Sequence, residues 1–114
     1  MKSQVKSIFI NPGKKGAMVQ IALLEILYIE AKDHLINIHL QNEIISSNIV
    51  LKEILDALSN ENFIRIHRSY IVNIDFIKSI ENNKIHLKSN HTIPLSLNYR
   101  EDLFQRIKDK TIKD

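Results

Sequence analysis

The segment Phe63-Ile64-Arg65-Ile66-His67-Arg68-Ser69-Tyr70-Ile71-Val72-Asn73 is the densest chemical constellation in the chain. Two guanidiniums, an imidazole, a hydroxyl and a phenol stand within a few residues, enclosed by two β-branched runs. Arginine pairs bidentately with a guanine edge or clamps a phosphate, and serine hydroxyls and backbone N–H groups suit phosphate oxygens. The same side chains also serve as plain structure, with His67 and Tyr70 satisfied at a core edge and the arginines forming a solvated face. A short arginine-rich run does not by itself choose between the two readings.

Outward from this segment the sequence reads mainly as strands. On the N-terminal side, Phe9 and Ile10 lead into the turn-rich Asn11-Pro12-Gly13-Lys14-Lys15-Gly16, and Met18 to Ile21 resumes an apolar stretch. Ile26 to Glu30 reads as a strand, and Ala31-Lys32-Asp33-His34 is a polar interruption. Ile36, Ile38 and Leu40 then alternate with Asn37 and His39, the period of a half-buried strand, and Gln41-Asn42 turns into Ile44-Ile45. On the C-terminal side, Ile77 to Glu81 and Lys84 to Lys88 flank Asn82-Asn83; asparagine tolerates the left-handed backbone, so a tight hairpin is expected. Thr92 to Leu97 supplies a last strand, in which Pro94 implies a sheet edge or a bulge. Two helices complete the pattern. Val50, Leu51, Ile54, Leu55 and Leu58 recur at helical spacing, with Asn48 or Val50 as the cap. A second helix runs from about Tyr99 on the stripe Leu103, Phe104 and Ile107, with Asn98 and Glu101 in capping-box spacing. The charged residues 108–114 are expected to fray.

Composition narrows the functional classes. A length of 114 residues suits one domain, residues 1–114, with the N-terminal part a first strand and loop. Cysteine is absent, which removes disulfides, thiolate metal sites and cysteine nucleophiles and fits a reducing, cytoplasmic setting. Ile21 to Ile29, the longest apolar run, is interrupted by Glu25 and far too short to span a bilayer, so no membrane partner is expected. The net charge is +3, and four of the cations, Lys2, Lys6, Lys14 and Lys15, fall in the first twenty residues; the remainder holds 12 positive against 13 negative groups. Such a balance permits phosphate binding without announcing it. The five histidines (His34, His39, His67, His86, His91) lack the spacing of a zinc motif, so no metal or other cofactor is expected. Asp33-His34 and Ser69 can be arranged as a triad on paper. There is no nucleophile elbow, and with Gly13 and Gly16 the only glycines there is no phosphate-cradling loop, so neither an enzyme nor a small-molecule substrate is expected.

One resemblance covers nearly the whole chain, about residues 18 to 108. Ile26-Leu27-Tyr28-Ile29-Glu30-Ala31 ahead of a polar turn, Leu51-Lys52-Glu53-Ile54 through Leu58, and Ile93-Pro94-Leu95-Ser96 all resemble elements of LytTR-type DNA-binding domains. The segment 63–73 is similar almost letter for letter to that family's F-x-R-x-H-R-S-y-x-V-N pattern. The resemblance implies a mainly β, elongated fold of several short antiparallel sheets with one or two short helices. It also implies a bacterial transcription regulator that binds double-stranded DNA through loops in successive major grooves, with a second copy on adjacent half-sites of a direct repeat. Family members are mostly response regulators with a receiver domain ahead of this one. This chain is too short to include a receiver, so it is either a stand-alone regulator or the output part of a longer protein.

Carried over position by position, the resemblance places base reading at His34, at Arg68 and at Leu97. Leu97 departs from the arginine common there: it contacts a thymine methyl, or the contact is lost and Asn98 substitutes unless Asn98 caps its helix. Phosphate contacts fall to Lys32, Ser69 and Arg100, and Arg65 and His67 orient the loop. The alternative is a protein-interaction module of the same fold that has lost DNA reading, suggested by the near-neutral body, by Leu97 and by an exposed edge at Pro94 to Leu97.

Overall fold

The run Ile26-Leu27-Tyr28-Ile29 has four consecutive buried residues. Neighbours on a strand face opposite ways, so such a run requires a sheet covered on both sides. The computed structural model, which describes residues 6–58 and 62–112, has that arrangement. Lys2 and the end of the charged tail lie outside the described residues.

The central sheet has five antiparallel strands in the order β5-β4-β3-β7-β6, formed by β3 (Ile26–Lys32), β4 (Leu35–Leu40), β5 (Ile44–Ser47), β6 (Phe63–His67) and β7 (Tyr70–Asn73). One face is covered by the hairpin β1 (Ser7–Ile10)–β2 (Val19–Ala22) and by the short helix α1 (Leu51–Ala57). Ile29, Ile36, Ile38 and Ile71 point into this first core with Ile21 and Ile54. The other face meets a three-stranded sheet, order β10-β9-β8, of β8 (Ile77–Glu81), β9 (Lys84–Leu87) and β10 (Thr92–Pro94), together with helix α2 (Leu97–Arg106). Leu27, Ile66 and Val72 pack there against Ile85, Leu87, Ile93 and Leu103. A mainly β architecture in several antiparallel sheets with two helices is thus what the chain adopts. Its extents are 53 × 41 × 24 Å, and its radius of gyration of 14.4 Å exceeds the ~13 Å of a compact chain this long.

Local chemistry accounts for most boundaries. In the β1–β2 loop, Asn11 Oδ1 accepts from the N–H groups of Gly13 (2.7 Å) and Lys14 (3.0 Å), and Gly13 takes φ 98°, a conformation only glycine adopts cheaply. Asn82, at φ 47°, closes the hairpin between Glu81 and Lys84. Pro94 sits on β10, an edge strand, where its missing N–H costs no ladder bond.

Three sequence expectations require correction, and a fourth is narrowed to one of its alternatives. The last strand ends at Pro94 rather than Leu97, because its partner β9 begins at Lys84: Leu95 N–H still reaches Asn83 O (2.9 Å), but Ser96 N–H turns away to Ile66 O (2.8 Å). Helix α2 accordingly starts at Leu97, with Ser96 as its cap in extended conformation (φ −78°, ψ 143°), so Asn98 lies in the first turn and is not the cap. Of the two caps the sequence offers for α1, Asn48 and Val50, the helix uses Val50, although its side chain cannot accept a hydrogen bond. Glu53 compensates, its Oε1 accepting from Val50 N–H at 3.4 Å. Finally, β4 is not half-buried in the simple alternating sense: His39 on its second face is buried beneath Tyr28, ring centroids 4.1 Å apart and nearly parallel.

Candidate nucleic-acid interface

Sheet register brings three separate segments to one end of the central sheet. Strands β3 and β4 are joined by Asp33-His34 alone, with Lys32 and Leu35 as the closing pair. Strands β6 and β7 are joined by Arg68-Ser69, with His67 opposite Tyr70. Because Glu30 pairs with Tyr70 and Tyr28 with Val72, the start of β7 lies beside the end of β3, and both turns share an edge. Ala31 N–H donates to Ser69 O at 2.9 Å, tying the second turn to the strand that carries the first. The start of α2 joins them, since Ser96 N–H is bonded to Ile66 O, one residue before His67.

The first turn is strained. Asp33 (φ 53°) and His34 (φ 68°) both occupy the left-handed region, as a two-residue type I′ hairpin demands, where Asn-Gly is the usual choice. Lys32, Asp33 and His34 are all exposed. An imidazole is thereby carried at the tip of a short, tightly registered hairpin at a conformational cost of about 1 kcal/mol or more.

The second turn is built differently. Neither Arg68 nor Ser69 has positive φ. A two-residue loop of that kind splays its strands, and a bulge between Arg65 and His67 absorbs the mismatch. Side chains hold the shape: the Arg65 guanidinium donates from Nε to His67 O (3.3 Å) and from Nη2 to Arg68 O, and Ser69 N–H donates to His67 Nδ1 (3.0 Å). Burial, with the Arg68 and Arg65 charges beside it, pushes the His67 imidazole below its usual pKa and favours the neutral acceptor form that this bond requires. Arg65, His67 and the Ser69 amide therefore point into the turn. Arg68 points out: it is exposed, and its guanidinium has no hydrogen-bond partner among the described residues.

At the third segment, Leu97 is 83% exposed as the first residue of α2, and Asn98, relieved of capping, is exposed beside it. Arg100 is committed elsewhere, donating to Asn82 O and lying over the Phe104 ring (4.8 Å to the centroid). Arg106 clamps α2 onto β6 by donating to Phe63 O from both terminal nitrogens (3.2 and 3.1 Å). His34, Arg68, Leu97, Asn98 and Lys32 thus lie exposed on segments that share one end, whereas Arg65 and His67 are internal supports and Arg100 binds the β8–β9 hairpin.

The residue pattern left two structural supports unread. Asn73, buried at the end of β7, donates from Nδ2 to Ile26 O (2.9 Å) and accepts from Asp75 N–H at Oδ1 (3.0 Å), locking β7 to the start of β3. Glu30 accepts at Oε1 from His39 Nε2 (2.8 Å) and at Oε2 from the Tyr70 hydroxyl (3.2 Å). Burial and the Glu30 charge push Tyr28 up to about 12 and raise Tyr70 as well. A carboxylate expected two residues from a stacked Tyr28 by strand alternation is the signal that could have exposed the second of these.

The family model of the LytTr DNA-binding domain matches residues 16–108. The chain belongs to that family. This LytTr domain is 32% identical over 114 residues to the sensory transduction protein LytT of Oceanobacillus iheyensis, an alignment covering 93% of the chain and 46% of the relative. The chain therefore spans about half the length of that relative. A solved structure described as the LytTr DNA-binding domain of a methyl-accepting/DNA response regulator from Bacillus cereus superposes with a TM-score of 0.73 at 21% identity. It covers 90% of this chain and 96% of its own, a likeness of fold. No helix among the described residues is long and apolar enough to cross a membrane.

Proposed function

We propose that this LytTr domain reads duplex DNA sequence-specifically, without catalysis, as the output part of a bacterial transcription regulator in the cytoplasm. The observation that carries the reading is the convergence of three exposed segments, Lys32–His34, Arg68 and Leu97-Asn98, on one end of a doubly covered sheet. Loops on a rigid sheet are suited to entering a groove, since affinity is lost when a reading side chain has to be ordered on binding. Arg68 supplies the bidentate base contact and His34 a second one; Leu97 offers methyl contact to thymine, with Asn98 free to add a hydrogen bond. Lys32 and the Ser69 hydroxyl take phosphates, and Arg100 joins them only by releasing Asn82. Two copies on adjacent half-sites of a direct repeat, about one duplex turn apart, would set these loops in successive major grooves.

Selection of bound duplexes from a random pool, followed by titration of the recovered duplex, tests this. A short motif is expected, and Arg68→Ala is expected to cost about 1–3 kcal/mol and to relax preference at one base position. Salt-sensitive binding with no recovered motif would refute sequence reading, and would turn attention to the exposed edge of β10 and Leu97 as a surface for a protein partner.

A further inference from the structure

We propose that Glu30 is a positioning residue for the Arg68-Ser69 turn, acting through Tyr70 and His67. The inference rests on the reading of Arg68 as a DNA contact, and its own test is separable from that reading. Glu30 is on the central strand β3, directly opposite Tyr70 on β7, and its side chain is 19% exposed. Its two carboxylate oxygens are divided between strands, one bonded to His39 of β4 and the other to Tyr70 of β7. The Tyr70 ring in turn meets the His67 ring edge to face, centroids 5.4 Å apart and planes at 78°. The His67 ring accepts the Ser69 N–H, and the Ser69 carbonyl accepts from Ala31, the residue after Glu30. A closed circuit therefore runs from β3 through Tyr70, His67 and Ser69 back to β3, with Arg68 standing out of its middle.

Stability is a poor reason for this carboxylate. Replacing a whole buried polar cluster by well-packed apolar residues is commonly neutral or stabilising, whereas a carboxylate with two specified donors fixes orientation. The Tyr70 hydroxyl, bonded to Glu30, cannot swing without losing that bond, and a fixed Tyr70 ring leaves His67 one packing position. The recognition turn has no positive-φ residue to lock its shape, so side chains have to supply the lock.

The experiment compares Glu30→Leu, Glu30→Gln and Tyr70→Phe with the natural chain. It follows Ser69 amide exchange and the His67 ring nitrogens by NMR, together with binding to the duplex recovered by selection. Glu30→Leu is expected to keep its cooperative unfolding while Ser69 exchange quickens about tenfold and duplex affinity falls about tenfold, the size of one charge-assisted hydrogen bond. Glu30→Gln, which retains an acceptor for Tyr70, is expected to restore affinity to within about threefold. Tyr70→Phe, which removes only a half-buried hydroxyl, moves the same signals and decides the matter should Glu30→Leu fail to fold. Unchanged Ser69 and His67 signals in Tyr70→Phe and in any folded Glu30→Leu overturn the inference. Moved signals alongside an Arg68→Ala variant of natural affinity would support the hold of Glu30 on the turn while refuting Arg68 as a DNA contact.

Discussion

Replacing His34 by glycine is expected to make the domain more stable and worse at its task. In the β3–β4 turn, His34 has φ 68° and follows Asp33 at φ 53°, so its Cβ crowds the backbone. A left-handed non-glycine residue costs about 1–2 kcal/mol. Glycine removes that cost but gives back about 0.5–1 kcal/mol through the extra freedom of the unfolded chain. The net gain is about 0.5–1 kcal/mol, which for a domain of this size raises the midpoint of thermal unfolding by roughly 2–6 °C. His34 is exposed, so no packing is lost to offset the gain. On the proposed reading the imidazole donates to a base, and its loss weakens binding to the selected duplex by about 1–3 kcal/mol, roughly fivefold to 150-fold. The assays are a circular dichroism melt and fluorescence anisotropy with the labelled duplex. A lower melting midpoint would refute the strain argument. A higher midpoint with undiminished affinity would remove His34 from the interface. His34→Asn, which suits the left-handed region and keeps a polar tip, should gain stability and lose less affinity.

Three further outcomes are expected. Asn73→Ala removes a buried hydrogen bond to Ile26 and a part-buried one from Asp75, and should cost about 2–4 kcal/mol in urea unfolding. Lys32→Ala should weaken binding to every duplex alike and reduce the slope of log affinity against log salt by about 0.9, the release of one phosphate's counterion; a sequence-dependent loss would count against a phosphate role. His67 titrates below its usual value in the folded chain, so the unfolded chain binds its proton first as pH falls. Its contribution to stability is complete above the ordinary value of about 6.5 and is lost as pH falls through the folded one. The stability difference between the natural chain and His67→Leu, measured in urea at several pH values, should therefore shrink on acidification, and a constant difference would refute the role of the neutral ring.

Much of the strand pattern could be read from the chain because local chemistry and tertiary structure agree in it. Ile36, Ile38 and Leu40 alternate, Asn82-Asn83 and Gln41-Asn42 turn, and Pro94 marks an edge. The failures came where a distant partner decides the outcome. Asn98 and Glu101 have good capping spacing, but Ser96 is held by Ile66 on another strand, and the helix starts there instead. His39 sits at a position that alternation assigns to solvent, yet Tyr28 covers it. In the candidate interface, the exposed positions of His34 and Arg68 follow from turns between strands. The inward use of Arg65 and His67 depends on a bulge and on side-chain contacts that spacing does not encode.

The residues of the segment 63–73 have different obligations in the fold. Phe63, Ile66, Ile71 and Val72 are buried in the two cores, Asn73 closes the strand, and Arg65 and His67 are bonded to the backbone of the turn they flank. Arg68 alone among the charged members is left without an internal hydrogen bond among the described residues. Substitutions across this one stretch should therefore fall into two groups. Changes at Arg65 and His67 lower stability and DNA affinity together, because they loosen the turn that presents Arg68. A change at Arg68 lowers affinity with little change in stability, because its guanidinium makes no hydrogen bond within the fold among the described residues and acts there only as a charge beside His67. A plot of unfolding free energy against duplex affinity for these three positions separates the groups, and Arg68→Ala falling with the other two would mean that its side chain is structural and that the DNA contact lies elsewhere on this edge.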